Sequence, residues 1–171
     1  MIRLIRITAS PIFKPAEYHL MQDNNYLGKI VLTKGNKGII ELEGKQWLIE
    51  RKKWRVIEIA PKDNGEKIVF KSSVFSLTNR GQITINNQTY KLVTEFGVYK
   101  LFWVNATGTR LIKIVPSPYY GFTYIPILIW LPIFYFPSEI DVEALDYEFA
   151  TTNSGKILYL LSVFLLSLKY K

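Results

Sequence analysis

The chain ends in KILYLLSVFLLSLKYK, and from Ile157 to Leu168 it carries no charge and only two polar residues, Ser162 and Ser167. That segment limits the fold more than any other. Thr151-Thr152-Asn153-Ser154-Gly155 precedes it, and Asn153 or Ser154 is suited to cap a helix over about 156–168 by accepting first-turn N–H groups. Twelve residues at about 1.5 Å each span only about 18 Å. A bilayer core is about 30 Å thick and takes roughly 20 residues. A helix that is apolar all round and too short to span is usually buried on every side by protein. An antiparallel sheet closed around it would provide that cover.

The rest of the chain predicts such a sheet. Apolar and β-branched runs recur between Asn, Asp and Gly turns. YLGKIVLTKGNKGIIEL predicts strands at about 26–33 and 39–43 around Gly35-Asn36-Lys37-Gly38. RVIEIAPKDNGEKIVF predicts a hairpin, with Asn64-Gly65 supplying positive φ angles. VFSLTNRGQITINNQTYKLV predicts three short strands joined at Asn79-Arg80-Gly81 and Asn86-Asn87. YKLFWVNATGTRLIKIV predicts a hairpin turning at Asn105-Ala106-Thr107-Gly108. A strand–glycine turn–strand unit thus recurs irregularly around Gly28, Gly65, Gly81 and Gly108, as a meander and not a solenoid. Tyr119–Pro137 is uncharged, with prolines at 126, 132 and 137, and predicts short strands at about 122–125, 127–131 and 133–136. EIDVEALDYEFAT predicts a strand pair or a short helical turn.

This layout resembles the tubby-like superfamily, which includes the tubby C-terminal domain, the phospholipid scramblases and the LURP-one-related proteins with their bacterial relatives. NSGKILYLLSVFLLSLKYK is similar to its central helix, and VFSLTNRGQITI and YKLFWVNATGTRLIKI to its strand–turn–strand units. The likeness runs over about 18–171. It implies a mainly β fold, an antiparallel barrel of about twelve strands enclosing a hydrophobic C-terminal helix, as one domain over 1–171. It also implies phosphoinositide binding in some members, with no lipid-coordinating residue transferable to a position of this chain.

Chemistry-bearing patterns are sparse. There is no cysteine, which excludes disulfides, thiol nucleophiles and cysteine-held metals. His19, flanked by Glu17 and Asp23, is the single histidine and reads as a surface strand residue more readily than a base. HExxH, Gly-rich phosphate-loop and GxSxG patterns are lacking. Glu139, Asp141 and Glu143 share one face if the segment is a strand, and read as a solvated acidic face without a calcium-loop pattern. No enzymatic activity, cofactor or metal is expected.

Charge points instead to a surface. The net charge is +8, with 19 Lys/Arg against 9 Asp/Glu over 1–118, and five acids with no Lys/Arg over 119–155. Within KQWLIERKKWRVIEI the candidate lipid-binding residues are Arg51, Lys52, Lys53, Trp54 and Arg55. On a continuous strand Arg51, Lys53 and Arg55 point one way and Lys52 and Trp54 the other. Such a cluster grips anionic headgroups while an indole sits at the interface. The same residues also read as an exposed strand face that discourages edge pairing. The expected partner is anionic phospholipid at a membrane surface, not nucleic acid, and the expected place is the cytoplasm, peripheral to the membrane. MIRLIRITASPIFKPAEY, broken by Arg3 and Arg6, does not read as a secretory signal. The competing reading is an integral membrane protein: a basic β domain over 1–118, and a membrane hairpin of 119–137 and 157–168 whose loop lacks Lys and Arg.

Overall fold

The computed structural model describes residues 2–6, 16–33, 36–63, 65–73, 76–95, 100–116 and 139–169. Among these lie β1 (Ile2–Arg6), β2 (Ala16–Gln22), β3 (Asn25–Thr33), β4 (Lys37–Leu42), β5 (Lys45–Lys53) and β6 (Val56–Pro61). They continue as β7 (Ile68–Ser73), β8 (Ser76–Ile85), β9 (Gln88–Thr94), β10 (Leu101–Val104), β11 (Arg110–Pro116) and β12 (Glu139–Ala144). Two helices end the order, α1 (Tyr147–Thr151) and α2 (Asn153–Lys169). The expected mainly β, antiparallel fold with a C-terminal apolar helix is therefore present. Each strand from β2 to β11 bonds its sequence neighbours, and β1 bonds both β2 and β12, the latter at Leu4↔Ile140 and Ile5↔Glu139.

Alternation of side chains does the sorting. Ile30, Ile40, Ile49, Ile57, Ile59, Phe70, Ile83 and Leu92 come from alternate positions of β3 to β9 and are all 0–1% exposed. They meet α2, whose residues from Leu158 to Leu166 are 0–3% exposed, so the tail is the core. The helix packs against α1 and against β2, β3, β4, β8 and β11, which lie in different parts of the strand order. The segment that the membrane reading takes as its second span thus lies inside the protein. No helix among the described residues is long and apolar enough to cross a membrane. The predicted strands at 122–136 and the first proposed span, 119–137, fall outside the described residues.

Both serines of the tail are satisfied within the core. Ser162 Oγ donates to the Leu158 carbonyl at 2.6 Å and accepts from the indole Nε1 of fully buried Trp103 at 2.9 Å. Ser167 Oγ donates to the Phe164 carbonyl at 2.7 Å. The helix starts earlier than predicted, because Thr152, not Asn153 or Ser154, is its cap: Thr152 Oγ1 accepts from Gly155 N at 3.1 Å. Asp146 caps α1 in the same way, accepting from Phe149 N at 3.0 Å, so EIDVEALDYEFAT is one strand followed by a helical turn.

The glycine units need correction. β8 runs unbroken through Asn79-Arg80-Gly81, so two strands stand where three were expected. Gly81 is there for space: a Cβ would lie 2.1 Å from Phe70 Cζ and 2.9 Å from the Lys71 carbonyl. Gly28 likewise lies inside β3, where a Cβ would lie 2.5 Å from the Glu41 carbonyl. Gly65 lies in the expected turn, between the end of β6 and the start of β7, while Asn64 falls outside the described residues. Gly108 lies in the expected turn between β10 and β11, at φ 88°. The tight hairpins lie elsewhere, at Asp23-Asn24, Glu43-Gly44 and the expected Asn86-Asn87, each with two positive φ angles.

Candidate anion-binding face

The basic stretch does not form one flat strand face. β5 pairs with β6 at Arg51↔Ile57 and then at Lys53↔Val56, with a register shift between them. Lys52 is the extra residue of a bulge, which reverses the expected alternation beyond it. Arg51 therefore shares the inward side of buried Ile57, and Lys53 the outward side of Val56. Trp54 and Arg55 form the turn between β5 and β6 and belong to neither face.

The five residues separate by function. Lys52 is committed to Glu50 at 2.5 Å, and Lys37 reaches the other oxygen of the same carboxylate at 3.0 Å. Lys52 and then Lys37 hold the Glu50 carboxyl below its ordinary pKa. Arg55 lies over the indole of Trp54 at 4.2 Å, and its buried Nε has no hydrogen-bond partner among the described residues. Trp54 remains 53% exposed at the tip of the hairpin. Lys53 is exposed and enters no ion pair among the described residues.

The register carries the charge onward from Lys53. Lys53 lies opposite Val56, Val56 opposite Lys71, Lys71 opposite Gln82, and Gln82 opposite Lys91. These residues alternate with inward Ile57, Phe70, Ile83 and Leu92, so they make one outward row across five strands. Neighbouring strands are about 4.8 Å apart, which spaces Lys53, Lys71 and Lys91 by about 10 Å at their backbones. Arg80 stands two residues from Gln82 on the same face. Lys71, Arg80, Gln82 and Lys91 are exposed and line a depression of about 400 Å³. Like Lys53, these cations have no carboxylate partner among the described residues.

Lys71, Arg80 and Lys91 escape a reading along the chain because each stands alone in its own strand. The signal that could have found them is parity: Lys71 and Lys91 each flank an inward apolar residue in IVFKSS and TYKLVT, and Arg80 stands an odd number of residues from inward Ile83 in TNRGQITI.

The acidic segment and the histidine have structural partners. Lys113 pairs with Glu143 across β11 and β12, and Asp146 is spent as a cap. His19 contacts Glu17 at 2.7 Å and meets Tyr26 edge-on at 5.2 Å, while Lys29 approaches the same Glu17 at 3.4 Å. His19 chiefly, with Lys29, holds the Glu17 carboxyl low. Among the described residues no group of three His, Cys, Asp or Glu is placed to hold a metal.

Comparison of the chain with protein families, with curated proteins and with solved structures finds no match to any of them.

Proposed function

We propose that this is a non-catalytic tubby-like β-barrel protein that docks on anionic phospholipid through the outward face of β5–β9. The observation that carries the reading is the row Lys53, Lys71 and Lys91, with Arg80 beside it and exposed Trp54 at its edge. Cations with no carboxylate partner among the described residues keep their full charge for a membrane, whereas Lys52 has given its charge to Glu50. An indole at the rim suits the water–lipid boundary. The circuit of strand pairing around α2 supports the tubby-like part of the reading.

Each cation near an anionic surface contributes about 1 kcal/mol, so three contribute about 3 kcal/mol, weak and salt-sensitive docking. The test is co-sedimentation with vesicles of phosphatidylcholine alone and with about a quarter phosphatidylserine. The wild-type chain should pellet only with the charged vesicles. Lys53→Gln, Lys71→Gln and Lys91→Gln together should weaken this roughly a hundredfold, while Lys52→Gln should change it little. Equal binding by the triple variant, or tighter and more salt-dependent binding to duplex DNA than to vesicles, overturns the proposal.

A further inference from the structure

One row on the outer face of the sheet is apolar throughout. Register sets Val31 of β3 opposite Ile39 of β4, Ile39 opposite Leu48 of β5, and Leu48 opposite Ala60 of β6. Along their own strands they stand next to inward Ile30, Ile40, Ile49 and Ile59, so all four point outward. Leu48 is 37% exposed, and the other three are half-buried. The solvated face of an antiparallel sheet is ordinarily polar. Four apolar residues side by side across four strands make one patch, not scattered exceptions.

Polar rows border the patch two residues away on each strand. On one side, from β3 to β6, stand Lys29, Glu41, Gln46 and Lys62; Lys62 directly follows β6 and donates its N–H to the Gln46 carbonyl at 2.9 Å. On the other side stand Thr33, Lys37, Glu50 and Glu58. Glu41, Glu58 and Lys62 enter no ion pair among the described residues, and Lys37 shares Glu50 with Lys52.

A second copy of the same face complements these borders. Two sheets pack face to face with their strands roughly aligned, about 30° apart. With a twofold axis along the apolar row, each strand lies over its own copy and the two borders exchange places. Ile39 then meets Ile39 of the second copy, and Leu48 meets Leu48. Glu41 faces Lys37, Lys62 faces Glu58 and Gln46 faces Glu50, each contact occurring twice. A twofold axis along the strands instead sets Lys29 against Lys62, so charge selects the first arrangement.

We propose that this chain forms a symmetric dimer through the outward row Val31, Ile39, Leu48 and Ala60, bordered by Glu41–Lys37 and Lys62–Glu58 ion pairs between copies. The patch and its borders cover about 15 Å by 14 Å at the backbone, at the low end of specific interfaces. Association is therefore weak, with a dissociation constant on the order of 100 µM. The dimer does not rest on lipid docking: Lys53, Lys71, Arg80 and Lys91 lie outside this row and its borders.

The test is sedimentation equilibrium of the full chain without lipid, from about 10 µM to about 1 mM, a range that brackets the expected constant. A monomer–dimer equilibrium is expected. Leu48→Glu should weaken it about tenfold or more, because two carboxylates then meet on the axis, while the melting temperature stays near that of the wild type. Glu41→Lys and Lys37→Glu should each weaken self-association about tenfold, since each brings like charges together twice. Mixed in equal amounts, these two variants should pair with each other about as well as the wild type does with itself, because each Lys again faces a Glu. Misfolding of either variant could not give that recovery. A monomer at about 1 mM overturns the proposal and leaves the row to a different protein. So does a dimer indifferent to Leu48→Glu, or a mixture that associates no better than its components. If Leu48→Glu lowers vesicle binding and leaves association unchanged, the row belongs to a membrane-facing surface and the proposal fails.

Discussion

The two sides of β5–β9 have opposite tolerances. Inward, Ile57, Phe70, Ile83 and Leu92 are 0–1% exposed and meet a helix with no polar stripe. Outward, one residue away, Val56, Lys71, Gln82 and Lys91 lie in partial or full contact with water. The strands are the same; only parity differs. Stability is concentrated on one side, and freedom to present charge on the other. A substitution's effect should therefore follow its face and not its place along the chain.

The largest test is Leu161→Lys, at a residue 0% exposed in the middle of α2. An unpaired ammonium has no water and no partner there, and its burial costs more than a domain of this size holds in reserve. Circular dichroism should show loss of the cooperative unfolding transition. A variant that keeps the wild-type melting temperature would break the inside–outside contrast.

Next come changes that keep the chemistry and disturb only fit. Gly81→Ala should destabilise by about 1–3 kcal/mol in urea titration, because the buried Phe70 ring and a β7 carbonyl occupy the space of the new methyl. An unchanged midpoint would mean that the glycine is not there for close approach. Ser162→Ala should cost about 1–3 kcal/mol by leaving the Trp103 indole N–H buried without an acceptor. A near-neutral result would show that the indole finds another partner within the core.

The smallest expected effect is on pH dependence. Lys156 at the start of α2 donates to Glu43 in the β4–β5 turn at 2.6 Å, and chiefly for that reason the Glu43 carboxyl lies below its ordinary value. A lowered folded-state pKa contributes stability that is present above the ordinary carboxylate value of about 4.5 and is lost as pH falls through the folded one. Glu43→Gln should remove that part of the acid limb of a stability–pH curve and leave the rest. Since Glu43 is half exposed, solvent screening keeps the change small. A loss of the same size at neutral and acid pH would assign the effect to the turn and not to the ion pair.

These contrasts separate what could be read along the chain from what could not. The length and uniform apolarity of 157–168 favoured a core over a membrane span for the tail, because transfer from water depends on composition and span and not on partners; the packing of α2 inside the sheet decided it. Hairpins at Asn86-Asn87 and Asn105–Gly108 were legible because turn residues act locally: Asn105 Oδ1 accepts from Thr109 N at 2.8 Å and Thr107 Oγ1 at 2.7 Å. Gly81 was misread as a turn because a glycine needed for turning and one needed for space are identical in sequence; only Phe70, eleven residues earlier, tells them apart. The basic cluster at 51–55 was legible as composition but not as a surface. One bulge at Lys52 turned Lys53 outward while Arg51 stayed on the inward side, and strand register gathered Lys71, Arg80 and Lys91 from two further hairpins. Register is set by long-range pairing, so a row across five strands exists only once the sheet has formed.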